Sequence, residues 1–241
     1  MNTPAIQFSE VCKAFGPQRV LDGADLTVQP GEMYALVGAN GAGKSTSIKA
    51  MLDFTSIDAG SIKLFGSNHI VPASRAALTF LPERFQPPYF LRGSEYLRAV
   101  AELLGETYDP QAARNMCGAL DLSEDALERP VRTYSKGMAQ KLGLAGALLS
   151  KRELLVLDEP LSGLDVKARI LVKREFERLH AEGRTIFFTS HMLTDVASLS
   201  DRLGILHAGK LVFEGSAQAC CETYGADDLE TAFLAVIDRS S

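Results

Sequence analysis

Along residues 5–30 apolar and polar side chains alternate. Ile6, Phe8 and Val11 are followed by Val20, Leu21, Leu26 and Val28, with Gly16-Pro17, Gly23 and Pro30-Gly31 between them. A period of two broken by glycine and proline predicts short strands joined by turns. Met33–Val37 is a short apolar run that leads into glycines, the pattern of a strand buried on both faces. Ile48, Met51 and Leu52 then recur at helical spacing. From about Arg84 to Leu149 the pattern stays helical and predicts no strong strand. Leu97, Val100, Ala101 and Leu104 share one helix face, Asp109-Pro110 reads as an N-cap with proline at the first helical position, and Ser135 precedes a face of Met138, Leu142, Ala145 and Leu149. Beyond it, Leu154–Leu157 predicts a strand, Val166–Leu179 a helix stopped near Gly183, and Thr185–Thr189 a strand. Met192–Leu199 predicts a helix, Leu203–Phe213 a hairpin turning at Gly209, and Asp228–Ile237 a last helix. Strand and helix alternating in this way predict one α/β domain over residues 1–241. Its sheet core comes from about 1–83 and 151–215, a helical insertion from about 84–150, and a C-terminal tail from 216–241. No internal repeat, low-complexity tract or linker interrupts it.

The composition adds exclusions. With 46% hydrophobic and 23% charged residues over 241 positions, the chain is neither disordered nor fibrous and is long enough to bury an ordinary core. Lys and Arg total 25 against 30 Asp and Glu, a formal charge of −5, which argues against nucleic acid as a partner. Cys12, Cys117, Cys220 and Cys221 form no C-x-x-C pair and have no histidine cluster beside them, so they read as reduced thiols of a cytosolic protein. Residues 1–10 lack the basic-then-apolar pattern of a signal peptide, and no run reaches the roughly 18 apolar residues needed to span a bilayer. Work at a membrane would depend on another chain.

Two segments carry chemistry. Gly38-Ala39-Asn40-Gly41-Ala42-Gly43-Lys44-Ser45 fits G-x-x-x-x-G-K-[ST] and lies between a predicted strand and a predicted helix, with Thr46 continuing it. Glycines there let successive backbone N–H groups turn inward to cradle a phosphate, and the helix beginning near Lys44 adds the positive end of its dipole. Lys44 is placed to reach the β- and γ-phosphates, and the Ser45 hydroxyl to bind Mg²⁺. In the second segment, Leu154–Leu157 ends in Asp158-Glu159, two carboxylates at the C-terminal end of a buried strand, where open α/β sheets bind ligands. Asp158 would hold Mg²⁺ through its water shell, and Glu159 would orient and deprotonate a water aimed at the γ-phosphate.

Three further elements follow in order: Tyr134-Ser135-Lys136-Gly137-Met138-Ala139-Gln140 at a helix start, Ser162-Gly163-Leu164-Asp165 after the carboxylate strand, and His191 at the end of the next strand. With these, the chain resembles the nucleotide-binding subunit of an ATP-binding cassette (ABC) transporter from Phe8 to about Gly215. The resemblance implies a P-loop NTPase fold of the ABC-ATPase type, with a RecA-like mixed sheet core, an antiparallel β subdomain and a helical subdomain. It implies ATP and Mg²⁺ as ligands and ATP hydrolysis as the activity. Phe15 matches the aromatic that stacks on adenine, with Val20 beside it, although a strand-end core residue is the other reading of Phe15. Ser135, Lys136, Gly137 and Met138 match the signature that contacts the ATP of a second subunit, and Ser135 is also an ordinary N-cap. Asp165 matches the loop that couples the two sites across a dimer and reads equally as a helix cap. His191 matches the switch histidine at the γ-phosphate.

The chain departs from the commonest pattern twice. Glu83, in the loop reading Phe80-Leu81-Pro82-Glu83, stands where most members have glutamine, and a carboxylate there can approach Mg²⁺ but cannot donate a hydrogen bond. Lys136 replaces the first glycine of the signature. Both forms resemble a subset of bacterial exporters whose cassettes are chains separate from their membrane subunits. The implied partners are a transmembrane permease, docking on residues about 83–95, and a second nucleotide-binding subunit, either a copy of this chain or a related cassette. The implied place is the cytoplasmic face of the cell membrane. Within 83–95, Phe85, Pro87, Pro88, Tyr89, Phe90 and Leu91 form either a contact surface or, for Phe90 and Leu91, an entry into the helical core. A cassette serving a soluble assembly complex is the alternative to a transporter.

Overall fold

The computed structural model describes residues 3–240. The strands β1 (Ile6–Phe15) and β2 (Gln18–Val28) are two long arms of one hairpin turning at Gly16, whose φ of 58° lies in the left-handed region that glycine tolerates. They are longer than the short strands expected from the alternation, because register shifts after Phe8 and Val11 absorb the breaks in the pattern. The strand β3 (Met33–Val37) follows, then α1 (Lys44–Met51), β4 (Ala59–Leu64), β5 (Ser67–Asn68) and β6 (Leu78–Leu81). The helical stretch holds α2 (Gly93–Leu103), α3 (Pro110–Ala119), α4 (Glu124–Leu127) and α5 (Lys136–Leu149). The remainder is β7 (Leu154–Leu157), α6 (Val166–Ala181), β8 (Thr185–Ser190), α7 (Leu193–Leu199), β9 (Arg202–His207), β10 (Lys210–Gly215), α8 (Ala217–Tyr224) and α9 (Leu229–Ser240).

These strands make two sheets. An antiparallel sheet runs β2-β1-β4-β5, and a mixed sheet runs β10-β9-β3-β8-β7-β6, parallel except for the β9–β10 hairpin. Every residue of β3, β7 and β8 is buried, so no polar alternation survives in them. The alternation is one of destination instead. Ala35, Val37, Leu155, Leu157, Ile186 and Phe188 enter a cluster with α2–α7 and the C-terminal helices. Tyr34, Leu36, Leu154, Val156 and Phe187 enter a second cluster with α1 and the antiparallel sheet. The central sheet is thereby clamped from both sides, which fixes the ends of its strands as a rigid platform.

Local caps match the sequence pattern where it was explicit. The Asp109 carboxylate accepts from the backbone N–H of Gln111 and Ala112 ahead of Pro110, and Ser135 accepts from the N–H of Met138. Elsewhere the structure adds elements. β4, β5 and β6 occupy a stretch for which the pattern predicts no strand, and Phe80 and Leu81 close β6 rather than belonging to a loop. The tail is structured: Ser216 caps α8, Gly225 ends it at φ 66°, and Cys220, Leu229, Ala232 and Val236 are buried in the first cluster. All four cysteines are free.

Candidate functional site

The loop from Gly38 to Gly43 connects β3 to α1 over the C-terminal edge of the mixed sheet. Gly41 and Gly43 have φ of 85° and 114°. A Cβ on Gly43 would lie 2.8 Å from the Val20 carbonyl oxygen, and one on Gly38 would lie 2.4 Å from that of Leu206. The ends of β2 and β9 therefore press on the loop, and only glycine fits beneath them. The same packing brings Val20 to the rim of a cavity of about 420 Å³ bordered by Gly41, Lys44, Ser45, Thr46 and, from across it, Glu159 and His191.

Lys44 is 7% exposed, and its ammonium donates to the carbonyls of Gly38 at 2.7 Å and Ala39 at 3.3 Å. Its nearest charge is Glu159 Oε1 at 3.8 Å. Glu159 also lies 2.9 Å, through Oε2, from His191 Nδ1. Asp158 precedes it with its backbone N–H bonded to Leu81 O at 2.9 Å, so the end of β7 is held by β6. Thr189, wholly buried, bridges the two residues, accepting from the Glu159 backbone N–H at 2.8 Å and donating to Asp158 Oδ1 at 2.6 Å. The sequence pattern marks Thr189 only as the end of a predicted strand; a threonine in a buried strand carries no signal beyond β propensity. Nearly buried groups of both signs thus meet at the mouth of an anion-cradling loop; two carboxylates face one ammonium, so a polyphosphate bound there would need the loop N–H groups and a cation to offset its charge.

A metal is tested by the donor set. No cluster of three or more His, Cys, Asp or Glu side chains fit to hold a metal occurs among the described residues. Mg²⁺ keeps several waters and takes one or two protein ligands together with substrate phosphates, so the sparse donors Ser45 and Asp158 are compatible with it. Glu83 is exposed and borders the same cavity.

The other residues singled out by sequence lie elsewhere. Phe15 is 51% exposed at the tip of the β1–β2 hairpin, with Lys13 Nζ 5.3 Å from its ring centre, so it is no core residue; it is not among the residues bordering the phosphate cavity. Ser135 and Lys136 border a second groove of about 710 Å³ with Tyr89, Ser162 and Gly163. A Cβ on Gly137 would meet nothing within 4 Å, so no contact inside the chain calls for glycine there. Met138 is partly buried against the core. Asp165 caps α6 through the N–H of Ala168 at 2.8 Å. Glu83 and Arg84 border both cavities. Phe85 turns inward onto Tyr96 and Gly143, whereas Tyr89 and Phe90 are 71% and 69% exposed and stack edge to face.

Past His191, Asp195 of α7 is buried and grips α6 twice, accepting from Arg169 and, at 3.4 Å, from Lys173.

Comparison with known proteins agrees with this architecture. A family model described as ABC transporter matches residues 21–162. The Nod factor export ATP-binding protein I of Burkholderia lata is 36% identical over 240 residues, covering 95% of this chain and 77% of that protein. An uncharacterized ABC transporter ATP-binding protein of Nostoc sp. is 38% identical over 203 residues, covering 81% of this chain and 59% of its own length. A solved structure of an ATP binding subunit of an ABC transporter superposes with a TM-score of 0.84 at 27% identity, covering 96% of this chain and 99% of that one. The chain belongs to the ABC transporter family, and its fold is that of the family's ATPase cassettes.

Proposed function

We propose that this chain binds and hydrolyses ATP to drive substrate movement, in the export direction, through a separate transmembrane permease. The observation that carries the reading is the meeting of Lys44, Glu159 and His191 around one cavity at the glycine loop. The N–H groups of 38–46 and the Lys44 ammonium receive the phosphates, and Lys44 exchanges its carbonyl partners for γ-phosphate oxygens. Glu159 takes a proton from the attacking water as the new P–O bond forms and the bond to the ADP oxygen breaks. His191 orients Glu159 and contacts the γ-phosphate. Mg²⁺, held by Ser45 and Asp158 with Glu83 nearby, would supply charge neutralisation at the phosphates when bound. Phe15, with Val20, receives the adenine.

Half of this site is missing from a single copy. Ser135 and Lys136 open onto the other groove, Gly137 and Met138 follow them in α5, and the open space at Gly137 suits the close approach of a phosphate from a second subunit. We read the working unit as a head-to-tail dimer, of identical chains or of paired cassettes, closed by two ATP and reopened by hydrolysis, with Asp165 at the coupling loop. The exposed Tyr89–Phe90 pair, within residues 83–95, is the surface for the permease at the cytoplasmic face of the membrane.

Replacing Glu159 by Gln tests the site. Nucleotide binding should persist, turnover should fall about 100-fold or more, and an ATP-bound dimer should accumulate in gel filtration. Lys44→Ala should weaken nucleotide binding itself. Wild-type turnover in Glu159→Gln removes Glu159 from its role. Charged substitutions at Tyr89 or Phe90 should abolish co-purification with the permease, and unchanged co-purification refutes that surface.

A further inference from the structure

We propose that Thr189 is the positioning residue of this site: one buried hydroxyl holds the Asp158 carboxylate and the Glu159 backbone in their working arrangement. The inference rests on the reading that Asp158 and Glu159 serve ATP hydrolysis. It begins from burial. Thr189 has no exposed surface and follows Ile186, Phe187 and Phe188 in a strand whose six residues are all buried. A hydroxyl in that setting is costly unless its oxygen and its hydrogen both find partners.

Both do, and their sense is fixed. The Glu159 backbone N–H can only donate, so Thr189 Oγ1 accepts it, at 2.8 Å. The hydroxyl hydrogen is then committed to Asp158 Oδ1, at 2.6 Å. β7 and β8 pair in parallel up to Leu157 and Phe188, and Asp158 and Thr189 are the next residues on each strand. The hydroxyl thus ties the two strand ends together where β7 delivers the carboxylates and β8, two residues later, delivers His191.

Each bond has a separate consequence. Glu159 has a φ of 48°, a left-handed conformation that a side chain of this kind keeps only where its surroundings hold it. The Thr189 bond anchors that peptide, and the resulting turn sends the carboxylate to Lys44 and His191. On Asp158, the hydroxyl takes Oδ1 and leaves Oδ2 for a metal's water shell or a phosphate-bound water. Thr189 has no exposed surface and both of its hydrogen bonds go to Asp158 and Glu159, so it acts through these two neighbours.

The test compares Thr189→Val, which keeps shape and loses the hydroxyl, with Thr189→Ser, which keeps the hydroxyl. In the full-length chain with Mg²⁺ and ATP, Thr189→Val should lower kcat roughly 10- to 100-fold, the scale of a misplaced catalytic group. KM and the Kd for a non-hydrolysable ATP analogue should change less than about threefold, because the glycine loop is untouched. Thr189→Ser should restore most of kcat. A kcat for Thr189→Val equal to wild type, or a Thr189→Ser as impaired as Thr189→Val, overturns the proposal. Should Thr189→Val not fold, Thr189→Cys, of similar size but with a weak thiol in place of the hydroxyl, takes its place: turnover equal to that of Thr189→Ser overturns the proposal, and turnover well below it supports it. Glu159→Gln run alongside separates the two levels. If it turns over normally, the reading of the site fails; if it is inactive while Thr189→Val is fully active, only the role of Thr189 fails.

Discussion

Replacing Gly143 by Ala sets two effects of opposite sign against each other at a named contact. Gly143 lies inside α5, where alanine is intrinsically favoured by about 1 kcal/mol. At this position, however, the new methyl would fall 2.5 Å from Phe85 Cδ1, 2.7 Å from Cε1 and 2.9 Å from Cγ. Carbon atoms pack best at about 3.5–4.0 Å, so the ring must retreat by roughly 1 Å. Phe85 is partly exposed and has room to swing outward, but doing so breaks its edge contact with Tyr96, whose ring centre lies 5.5 Å away. Losing that pair costs about 1 kcal/mol, and uncovering part of the ring on the core costs about another 1–2 kcal/mol. The expected net is a loss of about 1–2 kcal/mol in urea unfolding. Gly118→Ala in α3 is the control, because a Cβ there meets nothing within 4 Å; it should gain up to about 1 kcal/mol. Phe85→Leu in the Gly143→Ala background should recover part of the loss. If Gly143→Ala stabilises the protein as much as Gly118→Ala does, the clash between ring and helix is refuted. The contact also bears on the site, since Phe85 is two residues from Glu83 at the cavity rim, so its displacement should raise the KM for ATP.

Three further outcomes are expected. Asp195→Ala removes the buried acceptor of Arg169 and Lys173 and should cost about 2–3 kcal/mol in urea unfolding; a change below 0.5 kcal/mol, on the order of a surface substitution, would refute the clamp. The Ala14 backbone N–H, and after it Lys13, hold the Asp58 carboxyl below its ordinary 3.8, so its contribution is present above that value and lost as pH falls through the lower native value. Urea melts of Asp58→Asn and wild type should therefore differ at pH 7 and converge in strong acid; a constant gap refutes the linkage. Burial pushes the Cys117 and Cys220 thiols up to about 11, so a thiol reagent at pH 8 should modify Cys12 and Cys221 first and reach the other two only in denaturant; four thiols reacting at one rate would refute it.

What the sequence discloses follows from where free energy is concentrated. β3, β7 and β8 are legible because burial on both faces forces a continuous apolar run, and the helix starts at Asp109 and Ser135 because a cap has its own residue chemistry. β4 escapes notice because only Ile62 and Leu64 of its six residues are buried. β6 escapes because four residues before Pro82 are too few to show a period; it exists by pairing in register with β7 from Leu78 to Leu81. α8 hides for a similar reason, with Cys220 its one fully buried residue. At the site, the glycine loop is readable because phosphate geometry demands glycines at fixed steps. Its pressure on Val20 and Leu206 is not readable, since it arises between elements far apart in the chain. Phe15 illustrates the opposite failure: an aromatic at a strand end suits core and surface equally, and only the fold shows the ring in the open.

The double hold of Asp195 on α6 has a mechanical meaning. α6 starts from the cap on Asp165, and α7 starts just after His191. Two ion pairs on one buried carboxylate therefore join the helix that begins at Asp165 to the helix that begins just past His191, so a shift of one helix start would be passed to the other through Asp195.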